Sequence, residues 1–187
     1  GQNFLGEVIA SFLRDFPDVS VEVDLADRLV DLVDEGYDVA VRVGKLADSS
    51  LMARKLGSAN IALYASPKFL EEHGTPATSN ELRKYEVFQY SFSRTATAAG
   101  APGSRLRSNN GEVLRAAAVD GLGIAALPRF IAAPYLAKGQ LVPVLPEDST
   151  AGGVYVLYPH NRHLSAKVRA FVDHLVATFT PDPPWHG

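Results

Sequence analysis

What most restricts the fold of this chain is its apolar period, which switches between that of a helix and that of a strand along its length. Leu5, Val8, Ile9, Phe12, Leu13 and Phe16 recur every three or four residues and form one helical stripe, which Pro17 stops. Val19, Val21, Val23 and Leu25 then alternate with Ser20, Glu22 and Asp24, the period of a strand. A second helix is predicted from Asp27, as its cap, to Glu35, with Gly36 as its C′ residue. Val39, Val41 and Val43 form the next strand, broken at Gly44. Helices between successive strands predict a parallel, doubly wound α/β sheet.

The same alternation continues. Leu51–Leu56, Ile61–Ala65 and Val87–Ser91 read as strands, and Ser66-Pro67 opens a helix that Gly74 ends. Thr78 with Glu81 makes a capping box for a short helix. Arg94–Ser104 reads as a loop and Arg105–Asn109 as extended. Asn109 or Asn110 caps a helix that turns Val113, Leu114, Ala117 and Ala118 inward and closes at Gly121. Gly123–Leu127, Leu141–Val144 and Val154–Tyr158 are strands, with Pro128 starting one more helical turn that Pro134 interrupts. Ser165 caps a last helix whose stripe, Val168, Phe171, Val172, Leu175, Val176 and Phe179, matches that of the first. The tail is therefore expected to pack against the head.

Composition removes several function classes. Hydrophobic residues make up 47% and charged residues 21%, as in an ordinary globular chain. With no cysteine there is no disulfide scaffold, thiolate metal site or cysteine nucleophile. No apolar run is long enough to span a membrane. A net charge of −3 lacks the footprint of a nucleic-acid binder. That charge is unevenly spread: residues 1–50 hold 11 acids and 4 bases, leaving 10 acids and 14 bases for residues 51–187.

The motifs are sparse. Gly121-Leu122-Gly123-Ile124-Ala125-Ala126 fits the glycine pattern of dinucleotide sites, but here the glycines end a helix and open a strand, the reverse of the order such a site needs. They read as a helix C-cap and a tight turn. His160 and His163 lack a nearby carboxylate or thiolate and read as loop residues, so no metal is expected. Asp34-Glu35 and Glu71-Glu72 are solvated helix faces, and no nucleophile–base set or cofactor motif is visible. In open α/β sheets, ligands bind beyond the carboxyl ends of parallel strands. That rule selects Asn3, Arg42, Gly44, Lys45, Ser66, Asn109, Asn110 and Pro128, several of them at helix starts where N–H groups favour an anion. Arg42 also alternates with buried valines, which suits a salt bridge inside its lobe equally well.

In order along nearly the whole chain, the sequence resembles the effector-binding domain of LysR-type transcriptional regulators. The resemblance rests on Phe16-Pro17-Asp18-Val19, on Asp27-Arg28-Leu29 through Gly36-Tyr37-Asp38-Val39-Ala40-Val41-Arg42-Val43-Gly44, and on Ala65-Ser66-Pro67 with His73-Gly74-Thr75-Pro76. It continues through Asn109-Asn110-Gly111-Glu112, Gly121-Leu122-Gly123-Ile124-Ala125-Ala126-Leu127-Pro128, Gly139-Gln140-Leu141-Val142 and Tyr158-Pro159. It implies a type 2 periplasmic-binding-protein-like fold of two doubly wound lobes joined by two crossovers, residues 1–64 with 145–187 and residues 65–144. It also implies a cytoplasmic sensor of a small, anionic or polar effector, held between the lobes, with no cofactor and no enzymatic role. DNA would be reached only through a winged helix-turn-helix domain outside this chain. The expected assembly is an antiparallel homodimer that sets helix one beside the 111–120 helix. Lobe charges of 9 − 15 = −6 and 9 − 6 = +3 are complementary in that pairing. An exported solute-binding protein of the same fold is the alternative.

Overall fold

The computed structural model describes residues 2–25, 31–44, 46, 50–90, 104–160 and 165–179, so the expectations for Asp27, Lys45, the Arg94–Ser104 loop up to residue 103, and His163 lie outside the described residues. The chain divides into two compact units, Gly1–Ala59 with Gly152–His186, and Asn60–Ala151. Strand β2 (Leu51–Ala65) leads from the first unit into the second, and β7 (Thr150–Pro159) leads back. Two strands were expected over Leu51–Ala65; the chain forms a single one.

In the first unit, α1 (Gln2–Asp15) packs on α5 (Ala166–Phe179), as the matching stripes predict. Phe12 is 1% exposed and its ring meets Phe171 at 4.9 Å, edge to face. Ser165 caps α5, its Oγ accepting the Val168 N–H at 3.4 Å. Strand β1 (Ala40–Gly44) pairs antiparallel with β7, Val41 opposite Val156. The segment Val19–Leu25 corrects the sequence reading, because it is not a strand among the described residues. Alternation makes a strand only where a neighbour takes up its backbone groups. Here the Val19 N–H bonds back to the Phe16 carbonyl at 3.1 Å, and Val23 and Leu25 stand 47% and 58% exposed. The helix expected up to Glu35 is not one among the described residues: 31–36 form a hydrogen-bonded turn, in which Asp31 Oδ1 accepts the Val33 and Asp34 N–H groups, and Gly36 ends it at φ 76°. Tyr37 N–H bonds to Leu32 C=O at 2.9 Å and Gly36 N–H to Val33 C=O at 3.3 Å, the closure expected of that glycine.

In the second unit, β3 (Gln89–Tyr90) runs parallel to β4 (Arg107–Ser108), and Val87 bridges Ile124 in parallel at the head of β5 (Ala125–Pro128). The expectation of parallel pairing holds there. It fails for β2, which is antiparallel to β5 and to β6 (Val142–Val144), and for β1 with β7. The crossover rule governs strands that follow one another through a helix, as β4 and β5 do through α3 (Gly111–Val119); β2 and β7 sit beside strands they do not follow.

Both faces of this sheet are covered, as a doubly wound unit requires. On one face Leu63, Ala65, Ile124 and Ala126 lie with Phe69 of α2 (Pro67–His73). On the other, Tyr64, Ala125 and Leu127 lie with Leu114 and Ala118 of α3 and Ala132 of α4 (Arg129–Leu136). Ser66 caps α2, its Oγ accepting the Phe69 N–H at 3.3 Å, and Asn110 caps α3, its Oδ1 accepting the Glu112 N–H at 2.8 Å. Three local expectations are corrected. Val113 is 47% exposed, since it lies about 100° round the helix from Leu114. Thr78 makes no cap bond; Glu81 reaches one residue further back, accepting the Ala77 N–H at 2.8 Å ahead of a 3-10 turn over Ser79–Lys84. Pro134 lies within α4 rather than interrupting it. The paired glycines are a cap and a turn: Gly121 has φ 83°, and a Cβ on Gly123 would stand 2.7 Å from the Glu86 carbonyl oxygen.

Candidate functional site

Because β3, β4 and β5 are parallel, their carboxyl ends Tyr90, Ser108 and Pro128 share one edge of the second unit. Asn109 and Asn110 follow Ser108 directly, and Arg129 follows Pro128 as the first residue of α4. The absence of a side chain at Gly111 lets the first turns of α3 and α4 meet: a Cβ there would lie 2.9 Å from Ile131 Cδ1 and 3.9 Å from Leu127 Cδ2. The structure therefore brings Asn110 and Pro128 to one corner. Arg115 braces it, its guanidinium 4.2 Å over the Tyr135 ring and 2.9 Å from the Glu112 carboxylate.

Ser66 is not brought there. Ile61 lies opposite Pro128 and Tyr64 opposite Ala125, so the carboxyl end of β2 is at the amino end of β5. Five residues at about 3.4 Å each put Ser66 roughly 17 Å along β2 from the Pro128 edge. Its neighbour is the far end of α3: a Cβ on Gly121 would lie 3.5 Å from Ser66 Oγ. Ser66 is 4% exposed, with its oxygen used as a cap. The expectation that Ser66 and the two asparagines face one ligand assumed parallel strands, and the antiparallel β2 removes it.

Asn110 satisfies an N–H of α3, whereas Pro128 offers α4 no side-chain cap, so the positive end of α4 and Arg129 stand at the same edge. The buried Tyr64 hydroxyl shows the guanidinium's influence. Burial raises its pKa, and Arg129 opposes that through its charge and a hydrogen bond.

In the first unit, considered by itself, β1 ends at Gly44. Arg42 and Gly44 lie on β1 opposite Tyr155 and Gly153. Gly44 has φ 129°, a conformation that favours glycine. Asn3 lies in the first turn of α1, its side chain outside the described residues. Sequence reasoning passed over Tyr90, which ends its strand, and Tyr155, which reads as one more apolar residue in the last strand. Among the described residues no group of three His, Cys, Asp or Glu side chains could hold a metal, and no helix is long and apolar enough to cross a membrane.

Residues 1–180 match the family described as the LysR substrate binding domain. An HTH-type transcriptional regulator of Haemophilus influenzae is 35% identical over 181 residues, covering 90% of this chain and 62% of its own length. The full-length virulence activator AphB of Vibrio cholerae superposes with a TM-score of 0.76 at 30% identity, covering 92% of this chain and 62% of that one. The regulatory domain of CrgA from Neisseria meningitidis, a LysR-type regulator, gives a TM-score of 0.76 at 26% identity, covering 94% and 91%. The chain thus spans about three fifths of the H. influenzae relative, at 62%, and nearly all of an isolated regulatory domain, at 91%.

Proposed function

This chain belongs to the LysR substrate-binding-domain family, and from that premise we propose that it senses a small anionic or polar organic effector and passes its occupancy to a DNA-binding domain elsewhere in the full-length regulator. The observation that carries the ligand assignment is the corner of the second unit, where Asn109, Asn110, Pro128 and Arg129 converge at the ends of parallel strands. Arg42, Gly44 and Lys45 are the proposed contacts from the first unit, with Asn3 beside them in the set. The protein acts in the cytoplasm, without a cofactor and without catalysis. The relatives are transcriptional regulators, which favours this reading over an exported solute-binding protein.

A second copy pairs with the domain antiparallel, α1 against the partner's α3. Exposed Leu13 on α1, Phe16 just after it and Val113 on α3 supply apolar surface for that contact. Light scattering is expected to give a dimer; a monomer at high concentration would contradict the pairing.

A thermal-shift screen of small metabolites tests the sensing role. A true effector at 100 times its Kd raises stability by about 2.7 kcal/mol. Asn109→Ala is expected to weaken binding by about tenfold, the loss of one ligand hydrogen bond, and Ser66→Ala to leave it unchanged. Failure of every metabolite to stabilise the domain would contradict the reading.

A further inference from the structure

We propose that His174 is a pH-sensitive clasp between the first and last helices of the first unit, closing on Asp15 when its imidazole takes up a second proton. The inference is independent of the sensing role proposed above.

His174 lies on α5 and meets α1 through both ring nitrogens. Its Nε2 stands 2.8 Å from Ser11 Oγ, and its Nδ1 stands 3.9 Å from Asp15 Oδ2. Ser11 and Asp15 are one helical turn apart, so both fall on the same face of α1. The imidazole also lies edge to face against the buried Phe12 ring, with centroids 5.5 Å apart, and its side chain is only 19% exposed. The ring is therefore held in one place on three sides.

The proton positions follow from counting donors. A serine hydroxyl has one proton to give. Ser11 Oγ lies 2.9 Å from the Val8 carbonyl oxygen, a distance two oxygens keep with a proton between them. That proton goes to Val8, so the contact with His174 is Nε2–H donating to Ser11 Oγ. The neutral ring is then the Nε2–H tautomer, and its Nδ1 lone pair faces a carboxylate oxygen with no proton between them. The arrangement differs from a Ser–His–Asp triad, in which the base turns its lone pair to the hydroxyl. A second proton, placed on Nδ1, converts the opposed acceptors into a charge-assisted N–H···O contact.

The other charged groups near the two helices leave that role to Asp15. On α1, Glu7 stands one turn before Ser11, and Arg14 is next to Asp15 in sequence. On α5, Asp173 is held by Arg54 of β2 at 2.5 Å, and Lys167 by Asp38 at 3.2 Å. Thr178 donates to the His174 carbonyl, not to the ring. An imidazole changes charge between roughly pH 5 and 8, where carboxylates stay ionised. The charged ring gains its partner only in the folded chain. The clasp therefore contributes at the acid end of that range and is lost as pH rises through it.

Imidazole nitrogen NMR reads the tautomer, and urea denaturation reads the clasp. At about pH 8 the His174 proton is expected on Nε2, with Nδ1 gaining one on acidification. From about pH 8 to about pH 5.5, the unfolding equilibrium of the wild type is expected to move about threefold further toward the folded state than that of Asp15→Asn, the scale of an ion pair with one exposed partner. His174→Gln keeps a donor for Ser11 and lacks the charge, so it is expected to follow Asp15→Asn, and the double variant to lose no more than either. The tautomer is read on the unsubstituted chain and needs no variant to fold. A proton on Nδ1 rather than Nε2 at the higher pH would overturn the proposal, and so would a pH dependence of Asp15→Asn equal to that of the wild type.

Discussion

The two units obey the same sequence rules with different completeness. In the second, every described strand beyond β2 has a partner, both sheet faces are covered, and two helices begin on side-chain caps. In the first, one alternating segment, Val19–Leu25, has the pattern of a strand and none of the pairing. Its last two apolar residues, Val23 and Leu25, stand out in the solvent, with Val33 nearby in sequence at 64% exposure. The contrast teaches that alternation specifies which way side chains would face and leaves open whether a neighbour exists to pair with. Closed packing in the second unit should therefore make it sensitive to single atoms, while the first has stretches that tolerate change.

The largest expected effect separates the units outright. Leu114 is 0% exposed between α3 and the sheet, so Leu114→Ala is expected to cost about 2–5 kcal/mol. Leu25→Ala, at a site 58% exposed, should fall within about 0.5 kcal/mol of wild type. Urea denaturation measures both, and equal losses would erase the contrast. Next comes Gly123→Ala, where the new methyl would press on the Glu86 carbonyl at 2.7 Å and the Phe88 ring at 2.8 Å. Roughly 1–3 kcal/mol is expected, because a backbone atom cannot step aside cheaply. Gly139→Ala meets nothing within 4 Å and keeps only the strain of φ 65°, so it sharpens the point as the milder partner.

Asn110→Ala should cost about 1 kcal/mol by uncapping α3, and Asn110→Asp or Asn110→Ser should recover most of it. The smallest effects are in pH. Burial, opposed by Arg129, raises the Tyr64 pKa above its unfolded value of 10.0. Its contribution is fully present below that value and is lost as pH rises from it through the raised folded-state value. Tyr64→Phe should therefore flatten the alkaline limb of the stability curve. At the acid end, the Ala77 N–H first and Lys84 second lower the pKa of exposed Glu81 from 4.5. That contribution is present above 4.5 and fades as pH falls through the lowered value, so Glu81→Gln should reduce the stability difference between neutral and acid pH only slightly.

Local signals carried most of the fold. Ser66-Pro67, Gly74, Asn110, Gly121 and Ser165 each mark a helix end where one is found, because caps and left-handed turns depend on a few neighbouring residues. Non-local features were less legible. No local pattern shows that β2 runs antiparallel to β5, and that one fact moves Ser66 away from Pro128. Glu81 reaching Ala77 rather than Thr78 turns on a 3-10 geometry that a spacing of three cannot distinguish from a helical one. The Arg42–Tyr155 pair is invisible in the sequence because its members are 113 positions apart and meet only through register. The family resemblance supplied the two-lobed plan and the effector, which periodicity could not.

The central claim is that an effector is read at the carboxyl ends of parallel strands in the second unit. Backbone amide NMR of the domain, titrated with a metabolite that raises its melting temperature, tests it most directly. The account predicts saturable shifts at Asn109, Asn110, Gly111 and Arg129, with Ser66, Lys68 and Phe69 unmoved. Shifts centred on Ser66 and the start of α2, with the Asn110 corner silent, would contradict it.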